Sequence, residues 1–155
     1  MGDLLKKRLQ QQKFASPYQE ALLNILVCAD HFTRRMEAVC AQHGITAAQY
    51  NVLRILRGVY PNGHARCDII NRMLQAAPDV TRLIDRLIRA GLARRGRSEI
   101  DGRLSLTFIT PQGLALLDVM EPDISASDVA LSELISERDA RQISKLCERI
   151  YGGLE

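Results

Sequence analysis

The chain has no tryptophan, and its aromatic content is only 5%. Leucine, isoleucine and alanine abound instead, which favours helix packed on helix over a sandwich of sheets. No stretch approaches the length needed to cross a membrane, and the start, "MGDLLKKRLQQQ", has no apolar run of signal-peptide length. Met-Gly opens the chain, but Lys6 stands where a myristoylation signal wants Ser or Thr. These absences predict a cytoplasmic protein without membrane contact. No Gly-rich phosphate loop, H-E-x-x-H or G-x-S-x-G is present, so no enzyme motif is found.

Cysteine is scarce: Cys28, Cys40, Cys67 and Cys147. In a reducing compartment, four such residues read as free thiols rather than a disulfide framework. Each of the three histidines lies three residues from a cysteine (Cys28/His31, Cys40/His43, His64/Cys67). Two ligands do not make a zinc site, which normally takes four. Cys28 and Cys40 would also stand about 18 Å apart along one helix. No metal site is expected, although zinc or thiol redox sensing stays open as an alternative trigger.

What is present is cation, unevenly spread. Residues 1–53 carry a net +2, residues 54–103 a net +6 and residues 104–155 a net −5. A basic stretch inside a balanced chain is the footprint of polyanion binding. Its centre is "VTRLIDRLIRAGLARRGRSEIDGRLSLTF", with arginine at 82, 86, 89, 94, 95, 97 and 103.

A chain of 155 residues is most simply one domain. Apolar residues at 18, 22, 25, 26, 29, 32, 36 and 39 predict a long helix after a polar, mobile start. Gly44 stops it, and Thr46 to Gln49 reads as a capping box for a helix burying Tyr50, Leu53, Ile55 and Leu56. "YPNGH" is a turn. A short helix, "CDIINRML", should bury Ile69, Ile70 and Met73. After "QAAPD", Pro78 should sit in the first turn of a helix that ends at Ala90-Gly91. The period then changes to two. "RLSLTFI" should point Leu104, Leu106 and Phe108 inward and Arg103, Ser105 and Thr107 outward, pairing with "LARR" as a hairpin. Thr110-Pro111 caps a long helix that Pro122 should kink or break. Ser136 to Asp139 caps the last helix. The fold class is mainly α with a small β-hairpin.

On a helix over 78–89, Val80, Leu83, Ile84, Leu87 and Ile88 share one side, and Arg82, Arg86 and Arg89 the other. A short helix and turn before it make a helix-turn-helix, whose second helix enters the major groove. Arg103, at the base of the following loop, is suited to an adjacent minor groove. Asp101 would project to the same side in extended chain and orient that guanidinium.

"VTRLIDRLIRAGLARR", then "DGR", then "LSLTFITPQG", together with "ITAAQYNVLRIL", resemble the recognition helix, wing, exit and second helix of MarR-like winged helix-turn-helix regulators. The likeness covers roughly residues 18–150. It departs at Leu74, where the family usually has Gly, and at Ala76, where a polar cap is usual. A side-chain cap is therefore expected to be missing from the recognition helix, a loss of about 1 kcal/mol. Pro78 and Asp79 replace small hydroxylated residues, and Gly102 replaces a second Arg.

The resemblance implies a homodimeric repressor of a pseudo-palindromic double-stranded DNA operator. Residues 17–43 and 111–151 would form the dimerisation helices, and residues 46–109 the DNA-binding lobe. It implies DNA contacts by Pro78, Asp79, Thr81, Arg82, Arg86, Arg97, Asp101 and Arg103. No cofactor is implied, but a small aromatic or phenolic effector is, with His31, Phe32, Tyr50 and Arg54 as lining residues. The rival reading is a protein-interaction module that keeps the winged fold and turns its basic face to an acidic partner.

Overall fold

The computed structural model describes residues 2–98 and 102–154. The chain divides into two compact units, Met1–Asp118 and Val119–Glu155. The first holds α1 (Asp3–Leu9), α2 (Pro17–Gln42), α3 (Ala47–Arg57), α4 (Arg66–Arg72) and α5 (Val80–Arg89). It also holds strands β1 (Ala93–Arg97) and β2 (Ser105–Ile109), and the start of α6 (Pro111–Leu134). The second holds the remainder of α6 and α7 (Glu137–Tyr151). This is the expected mainly helical, winged helix-turn-helix architecture.

Helix α3 is the pivot of the lobe. Its capping box forms as the sequence predicts: Gln49 N donates to Thr46 Oγ1 at 3.2 Å, and Thr46 N donates to Gln49 Oε1 at 2.9 Å. Seven of its eleven residues are buried, including Tyr50, Val52, Leu53, Ile55 and Leu56, because it touches α2, α4, α5 and β2. A helix buried on nearly all sides must be apolar nearly all round. Its two buried amides, Gln49 and Asn51, are bonded, the latter donating to Met73 Sδ at 3.6 Å.

Three local expectations are corrected, and one element is added. At the polar start, Asp3–Leu9 form α1 around one buried side chain, Leu5, and Arg8 lies 3.8 Å from Asp30 of α2. A single apolar anchor leaves no period to read. In α4, Ile69 is fully buried, but Ile70 is 44% exposed. Adjacent helical residues point about 100° apart, so a seven-residue helix lying on α3 turns only one of them inward. Helix α5 is not uncapped: Asp79 Oδ1 accepts from Arg82 N at 3.0 Å. Pro78 therefore precedes the cap instead of occupying the first turn. Finally, of the kink or break expected at Pro122, the break does not occur: α6 runs on through it. Proline removes the bond to the Asp118 carbonyl, and that loss does not end the helix.

The hairpin also differs, by one residue in phase. Thr107 and Ile109 are buried, Leu106 and Phe108 are half-buried, and Leu104 is 45% exposed. Two constraints set this. Thr107 exchanges both backbone bonds with His64, at 2.8 and 3.0 Å, which adds a bridge beside β2. The pairing of Ala93 with Ile109 and Arg95 with Thr107 then places those four on one face. The other face is covered as well: Arg94 stacks 4.3 Å above the Phe108 ring. A strand covered on both faces loses the contrast that alternation relies on.

Two glycines fix the hairpin's ends. Gly91 follows α5 at φ +73°, a left-handed value that terminates the helix. At Gly113 a Cβ would collide with the Leu92 carbonyl oxygen. Between them Thr110 Oγ1 donates to Gly91 O at 2.7 Å and accepts from Gly113 N at 3.1 Å. One hydroxyl thus joins the end of α5 to the start of α6.

In the second unit, α7 opens on the predicted capping box, with Asp139 N donating to Ser136 Oγ at 3.2 Å. No residue of α7 is buried. Among the described residues, no helix is long and apolar enough to cross a membrane.

Candidate nucleic-acid interface

The reading face is built outward from the N-terminus of α5. Asp79 uses both carboxylate oxygens on one residue. Oδ1 caps the helix through Arg82 N, and Oδ2 lies 3.0 Å from Arg82 Nε. The cap thus aims the first arginine of the ridge while leaving its side chain 78% exposed. Val80, Ile84 and Leu87 bury the opposite side, as the periodicity predicts. Arg86 and Arg89 are exposed, and Arg89 Nε reaches the Asp85 carbonyl at 3.4 Å.

The hairpin contributes the second edge. Arg97 ends β1 opposite Ser105, and Ser98 N donates to Leu104 O at 3.0 Å beyond the last ladder pair. Arg103 is exposed on the return limb. Asp101, expected to orient it, lies outside the described residues. Pro78 and Asp79 are exposed, and Thr81 is half-buried beneath Arg66, whose Nη1 donates to its hydroxyl at 3.4 Å.

Helix and hairpin are tied together. Arg95 Nη2 on β1 meets Asp85 Oδ1 on α5 at 2.6 Å. Two adjoining concavities share Arg95 and Ser105. One is completed by Arg66, Thr81, Ile84 and Thr107, and the other by Gly96, Arg97, Gly102 and Arg103. The predicted Thr81, Arg97 and Arg103 thereby line one continuous surface. Arg66, Asp85, Arg95 and Ser105 were not predicted as site residues. Arg66 and Thr81 are fifteen positions apart, and Asp85 and Arg95 ten, so only the folded chain joins them.

The effector candidates are more scattered. His31 and Phe32, both exposed, pack edge to face at 5.7 Å. Tyr50 is buried in α3, whereas Arg54 is exposed and donates to Asn51 Oδ1 at 3.2 Å. Neither concavity described above includes any of the four.

The four cysteines are free thiols. Cys40 is fully buried, and burial, aided by the nearby Glu37 carboxylate, pushes its thiol up to about 11. Cys28 and Cys67 are exposed. Among the described residues, no group of three or more His, Cys, Asp or Glu side chains could hold a metal ion. His64 is mostly buried beside β2. Burial and then the Arg72 charge lower its pKa, against the opposing pull of Asp68.

No family model matches the sequence. The chain is 25% identical over 122 residues to the HTH-type transcriptional regulator MhqR of Bacillus subtilis, covering 78% of this chain and 79% of that one. The fold superposes on the MepR–DNA complex of S. aureus with a TM-score of 0.75 at 19% identity, covering 91% and 99% of the two chains. A MarR transcription factor from Planctomyces limnophilus matches at a TM-score of 0.64. It is 36% identical to this chain over 88% of this sequence and 98% of its own. With the helix-turn-helix, wing and exit in their expected order, that identity makes this chain a member of the MarR family of transcriptional regulators.

Proposed function

We propose that the chain is a sequence-specific double-stranded DNA-binding repressor that acts as a homodimer and is relieved by a small ligand. The observation that carries the DNA-binding reading is the continuous surface shared by the first turn of α5 and the hairpin, with Arg95 and Ser105 common to both halves. Arg82 and Arg86 contact the major groove and its phosphates, and Arg103 enters the adjacent minor groove. The MepR relative was crystallised with DNA, which supports this use of the shared fold.

The dimer is argued from surface that the lobe leaves uncovered. On α2, Tyr18 is 86% exposed, and Leu22 and Leu26 are each 56% exposed. On α7, Ile143, Leu146 and Ile150 are also exposed. Apolar stripes of this kind mark interfaces. A two-fold dimer would place its reading helices about one DNA turn apart, near 10 base pairs or a multiple. The effector is a small aromatic or phenolic molecule lined by His31, Phe32, Tyr50 and Arg54. No cofactor or metal enters the mechanism.

The test is fluorescence anisotropy on the DNA upstream of the chain's own gene. Arg103→Ala should weaken binding about tenfold, the scale of one groove contact, without changing the protein's mass in solution. Unchanged affinity would remove the wing from the reading surface.

A further inference from the structure

A sugar–phosphate strand separates the major groove from the adjacent minor groove. A protein that puts a helix in one and a hairpin tip in the other must leave room for that strand between them. In this chain the space between α5 and the hairpin is the concavity lined by Arg66, Thr81, Ile84, Arg95, Ser105 and Thr107. Its polar lining is guanidinium and hydroxyl, donors that suit phosphate oxygens. It comes from three elements: α4 supplies Arg66, α5 supplies Thr81 and Ile84, and the hairpin supplies the rest.

Arg95 belongs to both concavities, and it is held. Asp85 Oδ1 accepts from its Nη2 at 2.6 Å, while the two side chains remain 40% and 55% exposed. Ion pairs this exposed contribute little to stability. Their consequence is orientation: a charge-assisted bond restricts the guanidinium to one direction. From the other wall, Arg66 reaches the Thr81 hydroxyl at 3.4 Å.

We infer that this trough seats phosphodiester groups of one DNA strand, with Arg66 and Arg95 as the phosphate ligands and Asp85 as the positioning residue for Arg95. The inference rests on the DNA-binding reading above. It assigns these residues affinity without sequence preference, in contrast to Arg82, Arg86 and Arg103.

Asp85 makes the idea testable by sign. A carboxylate that merely offsets positive charge near a polyanion weakens binding, so its removal should tighten it. A carboxylate that aims a phosphate ligand does the reverse. The full-length protein is titrated by anisotropy against the upstream duplex and an unrelated duplex of equal length, across a range of salt concentrations. Arg66→Gln and Arg95→Gln should each lower affinity about tenfold, equally on both duplexes, and reduce the slope of log affinity against log salt by about 1. Asp85→Asn should weaken binding several-fold on both duplexes despite the gain in net positive charge. Asp85→Glu should recover most of the loss, and the melting temperature of every variant should stay near that of the wild type. Tighter binding by Asp85→Asn would overturn its positioning role. Unchanged affinity and salt slope in both arginine variants, with the wild type still binding, would overturn the trough as a phosphate seat alone. A wild type that binds neither duplex would remove the DNA-binding reading itself, and this inference with it.

Discussion

Helices α2 and α3 are both rich in apolar residues, and the structure uses them differently. In α3, seven residues of eleven are buried; in α2, twenty-six residues long, only Cys40 is. The short helix sits at the centre of a lobe where four elements converge on it. Most of the long helix has nothing over its stripe: Tyr18, Leu22, Ile25, Leu26 and Phe32 are all exposed. In the other unit, α7 resembles α2, with no buried residue at all. A helix that is apolar yet bare specifies a partner, whereas one that is apolar and covered specifies a core. The lobe accordingly holds its own stability, and the long helices carry the exposed apolar surface on which the proposed dimer rests.

The largest effect should come from the covered helix. Leu53 is fully buried, and Leu53→Ala deletes three carbons, a methine and its two methyls, from the centre of the core. The expected loss is about 2–5 kcal/mol of unfolding free energy, read by urea denaturation at a protein concentration low enough for the subunits to be separate. Leu22→Ala, at an exposed position of α2, should cost the isolated subunit almost nothing. Equal losses at the two positions would erase the distinction between core and interface helices.

Next in size is the uncovered helix. Leu22→Glu combined with Leu26→Glu places two charges in the proposed contact surface without touching the lobe. Sedimentation should show the mass halved from dimer to monomer. Affinity for the upstream DNA should fall by about 100-fold or more, because the second lobe no longer binds at high effective concentration. A double variant that is still dimeric would move the interface away from this part of α2.

The same contrast explains what was legible in the sequence. Where one face of an element is core and the other solvent, polarity repeats report structure. Helix α5 was readable in that way down to Val80, Ile84 and Leu87. Caps were readable at Thr46, Ser136 and Thr110, because a side-chain oxygen and a backbone N–H three residues apart are a local event. Local rules failed where distant chain decided. The His64 bridge to Thr107 set the phase of β2, and α3 chose Ile69 over Ile70. The sequence points to Ala76 as the place of the usual cap on α5, and the structure puts a cap at Asp79, which stands where the family has a small hydroxylated residue. In the candidate site, the ridge arginines were visible because they share one helix. Arg66, Asp85 and Arg95 were not, since their partners lie on other elements.

The smallest expected effect tests how tightly the lobe closes around the bridge between His64 and Thr107. His64 has its backbone paired with Thr107, its side chain only 11% exposed and its Nδ1 3.9 Å from Asp68. Burial and Arg72 together outweigh Asp68 and lower its pKa below the ordinary 6.5. The unfolded chain therefore takes up the proton more readily than the folded one. Stability is fully present above pH 6.5 and declines as pH falls through the interval between that value and the lower folded one. Thermal melts between pH 7 and pH 5 should show a steeper fall for the wild type than for His64→Gln, with the two curves converging in slope above pH 7. Parallel curves throughout would mean that the imidazole is no better enclosed in the lobe than in the unfolded chain, and that the bridge to β2 is a backbone contact only.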